Sequence, residues 1–81
     1  MATRSEIIST VKEMIQSAMG IPVERINLTD DLSYDLSMGS YDKMFLLSEI
    51  QDELGIFFPD DALDRFRTVE DLVDAIMELI D

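Results

Sequence analysis

Residues 35–56, DLSMGSYDKMFLLSEIQDELGI, decide how the chain is read. At about 100° per residue, Met44, Leu46, Leu47, Ile50 and Leu54 fall on one arc, which predicts a helix over 40–54. Gly55 follows at C′, where the left-handed backbone that ends many helices favours glycine. Tyr41 and Phe45 fall opposite that arc, one turn apart, beside Ser48 and Asp52. Two aromatics on the side that should be wet have two readings: a covering loop, or an apolar strip that faces a partner. Ser40 stands at the helix start, where a serine most often serves as an N-cap. The chain has no histidine and no cysteine, so nothing local would activate that hydroxyl.

Upstream, TRSE at residues 3–6 is a capping box, with Thr3 as N-cap and Glu6 reaching back. Ile7, Ile8, Val11, Met14, Ile15, Ala18 and Met19 then share one face of a first helix. Ser9, Glu13, Gln16 and Ser17 take the other face, and Gly20 and Pro22 end it. Residues 20–39 have no sustained period, but Val23, Ile26, Leu28, Leu32 and Leu36 recur through them. Loops of this length are usually functional or disordered, and the aliphatics predict one pinned to a core. Downstream, a short third helix is expected from about Asp60, after Pro59, to about Asp64. Thr68 and Asp71 form a second capping box. Val69, Leu72, Val73, Ile76, Met77 and Ile80 then make an apolar stripe, with Glu70, Asp71, Asp74, Glu78 and Asp81 along the other side. The expected fold is all-α: a small four-helix bundle of three longer helices and one short one, with a long loop between the first two. Residues 1–81 are expected to form a single domain.

Charge narrows the functional classes. Eighteen Asp and Glu against six Lys and Arg give a formal net charge of −12. Such a surface repels nucleic acid and anionic membranes and suits a basic protein partner. No apolar run approaches the ~20 residues of a membrane span, and the N-terminus lacks the apolar centre of a secretory signal, so a cytoplasmic monomer is the default expectation. From Asp30 onward the chain holds fifteen of its eighteen acids but only Lys43, Arg65 and Arg67 as cations. Self-repulsion should therefore cost stability at low ionic strength. Added salt or magnesium is expected to raise the melting temperature; a flat or falling series would refute this.

Catalytic and metal-site readings fail on spacing. An EF-hand loop needs an acid five residues before its glycine, and counting back from Gly20, Gly39 and Gly55 gives Ile15, Tyr34 and Ile50. The Asp30–Asp31 and Asp60–Asp61 pairs lie in polar segments with nothing apolar to raise a carboxyl pKa. No metal site and no enzymatic activity are expected. Two readings remain: Ser40 is modified by another enzyme, at a helix N-terminus that favours a phosphate, or the chain is an acidic, non-loaded helical interaction module for a basic partner.

At this point the chain resembles the acyl carrier protein family. The family signature D-L-G-x-D-S-L is followed by an acidic helix ending near E-x-G-I. Here Asp35-Leu36-Ser37-Met38-Gly39-Ser40-Tyr41 is followed by Glu53-Leu54-Gly55-Ile56. Pro59-Asp60 is similar to the family's I-P-D step into helix three, and Thr68-Val69 to the T-V opening its last helix. All the marks fall in one register. The resemblance implies that Ser40 bears a covalent 4′-phosphopantetheine arm, whose thiol holds acyl groups as thioesters during fatty-acid, polyketide or related synthesis. It implies as partners a pantetheinyl transferase and acyl-handling enzymes with basic docking patches. Those enzymes would meet Tyr41, Asp42, Phe45, Glu49, Asp52 and Glu53. The departures are Gly39 for the family's transferase-recognised Asp, Tyr41 for an aliphatic, Phe45 for a partner-facing acid, and Ser37 for a glycine. The last leaves a second hydroxyl three residues from the first.

Overall fold

The computed structural model describes residues 2–80 and is all-helical: α1 spans Arg4–Met19, α2 Ser40–Leu54, α3 Ala62–Arg65 and α4 Val69–Leu79. Three longer helices and one short one, with a long connection between α1 and α2, make the expected bundle. Both capping boxes form. Thr3 N–H donates to Glu6 Oε1 at 2.8 Å and Glu6 N–H to Thr3 Oγ1 at 3.2 Å. Thr68 N–H donates to Asp71 Oδ2 and Asp71 N–H to Thr68 Oγ1, each at 3.1 Å.

The two long helices end alike. Gly20 and Gly55 adopt φ of 73° and 65° and donate to the carbonyls of Gln16 and Gln51, each at 2.8 Å. Each glutamine side chain then accepts an N–H seven residues on: Val23 from Gln16 at 3.0 Å and Phe58 from Gln51 at 2.9 Å. The first contact steers the chain into a 3-10 turn at Val23–Arg25; the second turns it toward α3.

The core lies where α1 packs on α2 and α4, with α3 closing the far flank of α2. Ile7, Val11 and Ile15 meet Leu46 and Ile50, and Val69, Leu72, Val73 and Ile76 fill the third side. Loop residues Ile26, Leu32 and Leu36 are buried in the same cluster, while Val23 and Leu28 are only half-buried. The radius of gyration, 11.4 Å, matches the ~11.7 Å of a compact chain of this length, so the loop is packed and not splayed.

Two expectations need correction, and one residue gains a role. α3 begins at Ala62, because Asp60 and Asp61 form the turn ahead of it, and it runs to Arg65. Met44 is 56% exposed. The buried side of α2 centres on Leu46 and Ile50, and Met44 lies more than a third of a turn beyond it. Met38, to which residue spacing gives no role, is buried and anchors the loop. On α4, Glu70, Asp74 and Glu78 are exposed and Asp71 half-buried; Asp81, expected on that side, lies outside the described residues.

Candidate functional site

The segment that presents Ser40 is organised by two aspartates. Asp31 Oδ1 accepts the N–H groups of Ser33 at 2.9 Å and Tyr34 at 2.8 Å, while its own N–H donates to Asp35 Oδ2 at 2.6 Å. Arg67 Nη1 reaches Asp31 Oδ2 at 3.3 Å. Backbone bonds stitch this knot to the start of α4: Leu32 N–H to Arg67 O at 2.8 Å, Val69 N–H to Asp30 O at 3.1 Å, and Glu70 N–H to Leu28 O at 2.9 Å. Leu36 and Met38 then plug into the core on either side of Ser37. Ser37 sits between them at a φ of 58°, in the left-handed region. The position suits glycine, because a Cβ there is strained. Ser37→Gly should therefore raise stability by about 0.5–1 kcal/mol, the strain relieved less the entropy glycine adds to the unfolded chain. A urea titration reads this directly, and a lower midpoint would contradict it.

The Asp31 carboxyl is held below the usual carboxylate range, chiefly by the Tyr34 N–H, with Ser33 N–H and Arg67 adding to it. Asp71 is lowered in the same way, chiefly by the Thr68 bonds at the cap of α4. Both groups bind protons more weakly folded than unfolded, so their stabilisation is complete above the unfolded value near 4 and disappears as pH falls through the lowered folded values. Asp31→Asn should reduce the acid sensitivity of folding below about pH 4, on the side toward which the folded carboxyl is shifted. An unchanged acid limb in circular dichroism would refute the assignment.

Gly39, not Ser40, is the N-cap of α2. Its N–H donates to Asp42 Oδ2 at 3.0 Å, and its carbonyl accepts Lys43 N–H at 3.0 Å. Ser40 is thus the first helical residue, and its hydroxyl is not spent on a cap. The residue is exposed, and that hydroxyl has no partner among the described residues. The first N–H groups of the helix lie around it, at the positive end of the helix dipole. A Cβ added at Gly39 would meet only Asp42 Oδ2, at 3.8 Å, so the approach to Ser40 is open on that side. The chain has no histidine, and no described acid bonds the hydroxyl, so it is presented to an outside reagent and not activated from within.

The loop does not cover the aromatics. Tyr41 is 80% and Phe45 49% exposed, and Met44 joins them on the crest of α2. Glu49, Asp52 and Glu53 are exposed along the same helix; Asp42 is half-buried with its carboxylate held by the cap. A groove of about 320 Å³ runs between α1 and α2, walled by Phe45, Met14, Ala18 and Glu49. On the other flank an apolar pocket opens among Leu47, Leu63, Phe66 and Leu72, with Lys43 on its lining. At about 10 Å³ it has room for about one water. Sequence reasoning gave Lys43 no role and did not foresee the cap on Asp42. The three-residue spacing from Gly39 to Asp42 was the available signal for the cap.

Comparison with known proteins agrees with this geometry. Residues 9–76 match the family model described as the phosphopantetheine attachment site. The acyl carrier protein of Saccharopolyspora erythraea is 31% identical over 95% of this chain and 81% of its own length. That of Thermosynechococcus vestitus is 27% identical over 90% of each chain. That of Chlorobium phaeovibrioides is 30% identical over 94% of this chain and 97% of its own. With an all-helical bundle that lifts one open serine to a helix N-terminus, the chain belongs to the acyl carrier proteins, non-catalytic carriers that work through a phosphopantetheine group.

Proposed function

We propose that Ser40 is the attachment point of the 4′-phosphopantetheine arm, and that the protein shuttles acyl thioesters of fatty-acid, polyketide or related synthesis as a cytoplasmic monomer. The observation that carries this reading is the unpartnered Ser40 hydroxyl at the first position of α2. The residues fit the group: a phosphodiester there faces free N–H groups and a favourable dipole end. In the loading step the Ser40 Oγ–P bond forms and the P–O bond to the nucleotide half of coenzyme A breaks. The serine proton leaves to a base of the transferase, since this chain has none at the site. The arm then supplies a thiol that holds the acyl group; the chain's own part is to present Ser40 and offer docking surface.

Tyr41 and Phe45 form the apolar part of that surface, and Glu49, Asp52 and Glu53 its charged rim. Asp42 contributes through the cap that fixes Ser40. Basic patches on acyl-handling enzymes complement the rim, and a contact of this size should be weak and quickly released, as a shuttle requires. No described helix is long and apolar enough to cross a membrane. The test is intact-mass measurement after incubation with coenzyme A and a pantetheinyl transferase, with fragmentation of the proteolytic peptide spanning residues 26–43. A gain that maps to Ser40 is expected. No gain with several transferases would overturn the reading and leave the acidic crest as a plain interaction module.

A further inference from the structure

Lys43 is the sole cation on α2, and it pairs with no described carboxylate. Arg4 is bound to Glu70 and Asp74, Arg65 to Asp61, and Arg67 to Asp31. Lys12 and Arg25 also pair with no described carboxylate, but they belong to α1 and the 3-10 turn. The isolation of Lys43 in so acidic a chain follows from its place on the helix. Its neighbours at three and four residues are Gly39, Ser40, Leu46 and Leu47, none of them acidic. Asp42, next in sequence, has its carboxylate turned to the Gly39 N–H.

Lys43 follows Ser40 by three residues, which brings the two Cβ atoms to about 5–6 Å on a helix surface. Helical side chains lean toward the N-terminus, so the Lys43 stem leans toward the turn that carries Ser40. The stem is half-buried and lines the apolar pocket beside Leu47, Leu63 and Phe66. This is the usual arrangement of a lysine whose methylenes cover apolar surface while its ammonium stays wet. Tyr41 and Phe45 lie on the far side of the same helix crest.

We propose that Lys43 is a positioning residue for the prosthetic arm: its ammonium holds the phosphodiester on Ser40 toward the α3 flank, over the mouth of the apolar pocket. The proposal rests on Ser40 carrying the arm. It gives the site a built-in counter-ion and leaves the aromatic crest uncovered for a partner. It also explains why this one position on an acidic helix is basic. A pair between exposed groups is modest, about 0.2–1 kcal/mol, so it biases where the arm lies without locking it.

The experiment uses loaded protein whose mass confirms the arm, and reads nuclear Overhauser contacts from the geminal methyls beside its phosphate. Wild type and Lys43→Arg should show contacts to Leu63 and Phe66 protons that exceed those to Met14 and Ala18. In Lys43→Met, or at high salt, the α3-side contacts should weaken by a factor of about 1.5–5, the population change such a pair supplies. Melting of the unloaded Lys43→Met protein checks that the fold is kept. Equal contacts on both flanks in wild type, or an unchanged pattern in Lys43→Met, would overturn the proposal while leaving the Ser40 assignment standing. A missing mass gain would overturn the Ser40 assignment itself.

Discussion

Ser40→Ala protein is expected to take up no mass from coenzyme A and a pantetheinyl transferase, whereas Ser37→Ala should load as the wild type does. The two hydroxyls are three residues apart and both residues are exposed, so access alone does not separate them. Their backbones do. Ser37 is held in a left-handed turn between two buried side chains, Leu36 and Met38, with no helix end beneath it. Ser40 opens α2, and a phosphodiester there gains about 0.3–1 kcal/mol from the helix terminus. Because Gly39 and Asp42 form the cap without the serine hydroxyl, Ser40→Ala should melt within about 0.5 kcal/mol of wild type. Lost loading could then not be mistaken for lost folding. Retained loading in Ser40→Ala would move the attachment elsewhere and remove the basis of the functional reading.

The largest effect on stability is expected at Leu72. The side chain is fully buried between α4 and the pocket beside α2 and α3. Truncation to alanine should cost about 3–4 kcal/mol, from lost burial and from the enlarged void. A chain of this size has about 4–12 kcal/mol in total, so the variant loses a large share of it. Its melting temperature should fall by roughly 12–32 °C, at about 4–8 °C per kcal/mol for a domain this small. Leu79→Ala, on the exposed end of the same helix, should change it by only a few degrees. Similar losses at both positions would mean that α4 is not the wall of the core.

The regular parts of this architecture could be read from residue spacing, because capping boxes and apolar stripes are local. Thr3 with Glu6, Thr68 with Asp71, and the terminal glycines of α1 and α2 all form as their spacing implies. The misread positions depend on neighbours distant in sequence. Met44 looks internal on a helical wheel, but only two flanks of α2 are covered, by α1 and by α3, which leaves its angle in solvent. Met38 looks like a loop residue, and it is held at the core through its N–H bond to the Leu32 carbonyl, six residues back. Spacing alone puts the start of α3 two residues early, because an aspartate ahead of an apolar residue serves a turn as well as a cap. At the site, the position of Ser40 was legible from the register of the surrounding motifs. The transfer of capping from the serine to Asp42 was not, since either side chain could have supplied the acceptor.

The uncovered aromatics give the charge surplus a second meaning. Tyr34, Tyr41, Phe45 and Phe57 stand in water, and such groups invite copies of the same molecule to stick together. A net charge of −12 keeps those copies at a distance, while a cationic docking partner passes the barrier freely. The same carboxylates thus act as a filter that turns adhesive patches into selective ones. When high salt screens that charge, the filter lifts and self-association should displace partner choice.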